Sequence, residues 1–119
     1  MRTLAAVFAL LTALSLSAAE VDQPAALNAL LEPDAVLIDV RTPEEFAEGA
    51  LAGATRVDPE AIVEQIATLA PDKDTPIVLY CRSGRRSGNA QDALTAQGYT
   101  QVINAGGYEE LNKVLEQQD

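Results

Sequence analysis

Apolar residues occur along this chain in two distinct rhythms. Short continuous runs rich in branched side chains stand at Ala35-Val36-Leu37-Ile38-Asp39-Val40, Ile77-Val78-Leu79-Tyr80 and Gln101-Val102-Ile103-Asn104. Runs of that length and composition predict buried strands. Gly53 to Val57 predicts a further short strand. Between the runs, apolar residues recur at helical spacing. Ala25 to Leu31 predicts a helix broken by Pro33-Asp34, and Thr42 caps a helix opened by Pro43 and ended by Gly49. Asp58-Pro59 opens another, with Ile62, Val63, Ile66, Leu69 and Ala70 repeating along it, followed by a polar turn over Pro71 to Pro76. Arg85 to Gln97 turns Ala90, Ala93 and Leu94 inward and stops at Gly98. Gly106-Gly107 reads as a turn, and Tyr108 to Glu116 as a last helix with Leu111, Val114 and Leu115 on one face. Strands alternating with helices predict an α/β domain whose mostly parallel central sheet is covered by helices on both faces.

The first residues follow neither rhythm. Met1-Arg2-Thr3 is a short positive start, Leu4 to Leu16 is almost wholly apolar or small, and Ser17 and Ala19 stand three and one positions before Glu20. That is the layout of a secretory signal peptide, expected over residues 1–19, with the domain over 20–119 and the mature chain exported to the periplasm. The apolar stretch is about 13 residues, short of the roughly 20 that cross a bilayer, so no stable membrane association is expected after cleavage.

Net charge is −10 over 119 residues. Loss of Arg2 with the leader leaves seven basic and 18 acidic residues, or −11. A chain this acidic has no broad basic surface for nucleic acid. Without histidine, Cys/His metal sets and Cys–His or Ser–His relays are excluded. No cofactor is implied, and a monomer is the expected state.

Against that acidic background one segment stands out. Cys81-Arg82-Ser83-Gly84-Arg85-Arg86-Ser87 follows a strand and opens a helix, and holds the chain's one cysteine together with three of the seven mature basic residues. In open parallel sheets, ligands bind at the carboxyl ends of strands, where this cysteine is expected. A strand-to-helix loop turns successive N–H groups toward its own centre, and the helix adds its positive end. Gly84 permits the tight path, the arginines add charge, and Ser83 and Ser87 offer hydroxyls. Such surroundings favour the thiolate, the reactive form of cysteine, without a general base. A buried cysteine acting as a small hydrophobe is the bland alternative.

This loop resembles the active-site loop of the rhodanese (thiosulfate sulfurtransferase) family. Leu37-Ile38-Asp39-Val40-Arg41-Thr42-Pro43-Glu44-Glu45-Phe46 with Gly53-Ala54 resembles the family's first signature, and Asn104-Ala105-Gly106-Gly107 its last. The likeness covers essentially the whole mature chain, whose exported, single-domain form resembles the small periplasmic rhodaneses of the phage-shock-protein type. Gly49-Ala50-Leu51 stands where the family often has Gly-His-Ile, and Leu111 where it often has Trp. The resemblance implies sulfur transfer through a Cys81 persulfide, from an anionic donor such as thiosulfate to cyanide or a thiol. Cys81 would be catalytic, and Arg82, Ser83, Gly84, Arg85, Arg86 and Ser87 would bind substrate. Arg82 and Arg85 would steer the donor, while Arg86 would turn outward or pair with a carboxylate. Cysteine-dependent phosphatases place arginine six residues after the cysteine. Here Arg86 is the fifth residue and Ser87 the sixth, a shorter loop suited to one sulfur atom. A sulfur carrier without turnover, and a phosphatase or arsenate reductase, are the alternatives. Asp39 and Arg41 are expected to form an internal salt bridge, Glu44, Glu45 and Glu48 a solvated helix face, and Tyr80 part of the core.

Overall fold

The computed structural model describes residues 20–117; the leader read over residues 1–19 lies outside them. Four strands, β1 (Val36–Asp39), β2 (Thr55–Arg56), β3 (Ile77–Cys81) and β4 (Val102–Gly107), form one sheet in the order β2-β1-β3-β4. Every pairing within it is parallel. The helices are α1 (Gln23–Ala29), α2 (Pro43–Glu48), α3 (Ile62–Leu69), α4 (Arg85–Ala96) and α5 (Tyr108–Gln117). The order places a topological switch between β1 and β3: the chain leaves β1 toward β2, then crosses back to β3 on the other side. Crevices at the carboxyl ends of such strand pairs are where open α/β sheets bind ligands.

Alternation along the strands splits the core into two layers. Ile38, Val40, Ile77, Leu79 and Cys81 face Ile62 and Ile66 on the α3 side and Ala90 and Leu94 on α4. Leu37, Val78, Tyr80 and Ala105 face Ala26 of α1 and Leu111 of α5. Leu111 is fully buried, so the smaller side chain fills the position where the family often has Trp. Leu51 is also buried, and its N–H donates to the Tyr80 hydroxyl at 3.1 Å.

Several local expectations shift. Thr42 and Glu45 form a reciprocal capping box at the start of α2. Asp58 makes no side-chain cap; it pairs with Arg56 at 2.7 Å, and a 3-10 turn over Pro59–Ala61 leads into α3. Cys81 is the last residue of β3 rather than the first beyond it. The largest difference is at Gly106-Gly107, which continues β4 instead of forming a free turn. Between the pairs Leu79↔Asn104 and Cys81↔Gly107, β4 carries one residue more than β3. This is a bulge, and Gly106 absorbs it at φ +89°, where a side chain would be strained.

Candidate active site

Cys81 reaches the site as the end of a strand buried along its whole length. The chain then turns through Arg82 and Ser83 to Gly84, whose φ of +97° lies in the left-handed region that glycine tolerates. Gly84 is the N-cap of α4, so the unpaired N–H groups of that helix point back toward the sulfur. The Gly84 N–H donates to Cys81 Sγ at 2.9 Å. The N–H groups of Ser83 and Ser87 also donate to it, and the Ser87 hydroxyl lies 3.4 Å away. Burial pushes the thiol pKa up, but the Ser87 hydroxyl and these N–H groups outweigh burial and hold it below its ordinary value. The sulfur is therefore a fully buried atom in surroundings that favour its anion.

The arginines divide by environment. Arg82 and Arg85 are exposed. Arg86 is half-buried and pairs with Glu45 of α2 at 3.4 Å. Its side chain thus ties α4 to α2, the carboxylate pairing expected of it. Glu45 is correspondingly more than a solvated side chain. The Thr42 N–H and Arg86 hold its carboxyl below the usual range against the opposing effect of burial.

Two residues not singled out as site residues hold the loop in place. Asn104 is a fully buried amide within β4. Its Nδ2 donates to Gly84 O at 2.9 Å, while its Oδ1 accepts from Ser87 Oγ at 2.6 Å and Gly106 N at 3.0 Å. One amide thereby links the glycine turn, the helix start and the bulge. A polar residue ending an otherwise apolar strand run was the available signal. Val21 forms a parallel bridge to Asn104 ahead of α1. Its side chain covers two glycines: a Cβ on Gly84 would lie 3.1 Å from it, and one on Gly106 2.9 Å. Gly107 has its own requirement, since a Cβ there would come within 2.6 Å of Arg82 O. The glycine pair lets β4 pass against the reactive loop.

At the end of β1, Arg41 donates to both carboxylate oxygens of Asp39, at 2.7–3.0 Å, and to Gly49 O at 2.7 Å. This is the expected internal salt bridge. Burial lowers the Arg41 pKa, but the hydrogen bond and charge of Asp39 reverse this and leave it raised. The guanidinium carbon lies 4.2 Å from the centre of the Tyr108 ring. Tyr80, in the core as expected, has its hydroxyl pKa raised chiefly by burial. Among the described residues no group of three His, Cys, Asp or Glu side chains is placed to hold a metal ion, and no helix is long and apolar enough to cross a membrane.

A family model described as the rhodanese-like domain matches residues 23–113. The chain is 42% identical over 74 residues to thiosulfate sulfurtransferase PspE of Escherichia coli (strain K12), covering 62% of this chain and 71% of that protein. It is 33% identical over 87 residues to thiosulfate sulfurtransferase GlpE of Stutzerimonas stutzeri, covering 72% and 78%. Among solved structures, a rhodanese with anions from E. coli superposes with a TM-score of 0.62 at 41% identity, covering 64% of this chain and 89% of that one. The anion-favouring loop, the parallel sheet that presents it and these likenesses agree: the chain belongs to the rhodanese-like family.

Proposed function

We propose that this protein is a sulfurtransferase that moves sulfane sulfur from thiosulfate, or a related anionic donor, to cyanide or a thiol. The observation that carries this reading is the cradle of three backbone N–H groups and one hydroxyl around Cys81 Sγ. The names of the relatives support the same chemistry.

The Cys81 thiolate attacks the outer sulfur of thiosulfate. A new S–S bond forms, the old one breaks, and its electron pair leaves with sulfite. The Cys81 persulfide keeps one negative charge at its terminal sulfur, and the dipoles of the Ser83, Gly84 and Ser87 N–H groups that donate to Sγ support that reading. Cyanide or a thiolate then attacks that terminal sulfur, and the electron pair of the breaking bond returns to Sγ. Each half-reaction moves one sulfur atom and leaves the total charge unchanged. This is double displacement with ping-pong kinetics. The fixed N–H dipoles stabilise charge without reorganising. Arg82 and Arg85, exposed beside the loop, attract the donor anion to an otherwise acidic body. The substrates are small molecules, and the working unit is a monomer without a nucleic-acid partner or a cofactor. The leader-like start supports export to the periplasm.

The test is thiocyanate formation from thiosulfate and cyanide. Cys81→Ser should lower turnover by ~10³-fold or more while retaining the circular dichroism of the parent, because the covalent intermediate is lost. Retained turnover would overturn the mechanism. Hydrolysis of an aryl phosphate by the parent, without sulfur transfer, would favour a phosphatase instead.

A further inference from the structure

The switch between β1 and β3 opens beside the loop into a cavity of about 440 Å³, lined by Arg41, Glu45, Glu48, Arg82, Tyr108 and Glu109 with Gly49. Arg82 directly follows Cys81 and Tyr108 directly follows Gly107, the partner of Cys81 across the sheet. The cavity therefore adjoins the strand ends that hold the thiol.

Its charges are not those of a plain anion site. Arg41 is more than nine-tenths buried and fixed in place. Its Nε and Nη2 donors are taken by Asp39 and Gly49 O, and the Tyr108 ring packs on the guanidinium. Its Nη1 has no hydrogen-bond partner among the described residues, so that edge is left for the cavity. Asp39 already neutralises Arg41, which consequently offers directed hydrogen bonds more than net charge. Glu45 is engaged by Arg86 and the Thr42 N–H. Of the charged residues that line the cavity, Arg82, positive, and Glu48 and Glu109, negative, have no ion-pair partner among the described residues. A simple anion would meet two carboxylates. A simple cation would meet Arg82 and the donor edge of Arg41. A ligand carrying both signs satisfies all of them.

We propose that this cavity is the acceptor subsite and takes a zwitterionic aminothiol, its carboxylate on Arg41 Nη1 and Arg82 and its ammonium on Glu48 and Glu109. The inference rests on the sulfurtransferase reading and names the acceptor class for it. The acceptor thiolate attacks the terminal sulfur of the Cys81 persulfide. The new S–S bond forms as the Cys81 S–S bond breaks, the electron pair returns to Sγ, and the acceptor leaves as its own persulfide anion. No external oxidant or reductant is needed.

The experiment measures sulfite release at saturating thiosulfate with four acceptors: L-cysteine, 3-mercaptopropionate without the ammonium, cysteamine without the carboxylate, and uncharged 2-mercaptoethanol. Rates are compared as kcat/KM per thiolate. L-Cysteine should exceed each of the others by about three- to tenfold, the size of one or two partly exposed ion pairs. In the double variant Glu48→Gln/Glu109→Gln, its advantage over 3-mercaptopropionate should fall to within about twofold, while its advantage over cysteamine persists. A purely structural role for the glutamates would depress all four acceptors together. Equal rates for the four thiols, or an undiminished preference in the double variant, would overturn the proposal. If thiosulfate leaves sulfur on Cys81 and cyanide removes it but no thiol is preferred, only the acceptor assignment fails. If no sulfur is left on Cys81 at all, the sulfurtransferase reading fails and takes this one with it.

Discussion

Burial alone would make Cys81 a late-ionising thiol, since a dry interior favours the neutral form. The Ser87 hydroxyl and the Ser87, Ser83 and Gly84 N–H groups reverse that, leaving its pKa below the ordinary 9.0. A depressed acid stabilises the fold in its ionised form. That contribution is fully present above pH 9.0 and is lost as pH falls through the folded value. The rate of alkylation by iodoacetamide should accordingly rise with a midpoint below 9.0, and Ser87→Ala should move that midpoint upward by removing one donor. A parent midpoint at or above 9.0 would contradict the hydrogen-bond account. The loop was legible residue by residue because its parts are consecutive: strand, cysteine, glycine turn and helix start all lie within Ile77 to Ser87. Asn104 was legible only as the polar end of an apolar strand run and as part of the last signature, not as a residue that holds the loop. Its partners Gly84 and Ser87 are 20 and 17 positions away, and nothing near Asn104 in the chain announces them.

At the scale of elements, the site depends on how closely β4 approaches the β3–α4 loop. The buried strand runs and the helix periodicities were read from the chain because each element buries one recognisable face. The bulge in β4 was not. Two glycines suit a turn or a bulge equally, and the register against β3 is a property of two strands rather than one. The pairing of Glu45 with Arg86 is of the same kind, joining helices 41 positions apart. As a partly exposed pair it is worth at most ~1 kcal/mol, so it orients α4 more than it stabilises the fold. The tighter constraint is Gly107. In Gly107→Ala the new Cβ meets backbone, Arg82 O at 2.6 Å, and either the loop or the strand must move. Thiosulfate:cyanide turnover should drop by about tenfold or more, since displacements of an ångström in a site cost that much. Unfolding in urea should show a loss of ~1–3 kcal/mol, the usual cost of overpacking. Parent-like turnover in this variant would show that the close approach is not needed.

For the whole molecule, alternation of strand and helix was enough to predict a parallel sheet with two covered faces, and both core layers are present. The order β2-β1-β3-β4 was not predictable in the same way, because apolar strands of similar composition do not name their neighbours. That order matters, since it pairs Asp39 with Tyr80 and so brings the end of β1 against the strand that ends at Cys81. The chain holds one cysteine, so its thiol has no disulfide partner within the chain. Amino-terminal sequencing of the protein recovered from the cell envelope should begin at Glu20, and an intact Met1 would contradict the leader assignment. The claim on which the rest depends is that Cys81 carries sulfur, and intact mass spectrometry tests it most directly. Incubation with thiosulfate should add about 32 Da, one sulfur atom, to the parent and nothing to Cys81→Ser, and cyanide should remove it. An unchanged parent mass, or an equal gain on the serine variant, would contradict the account.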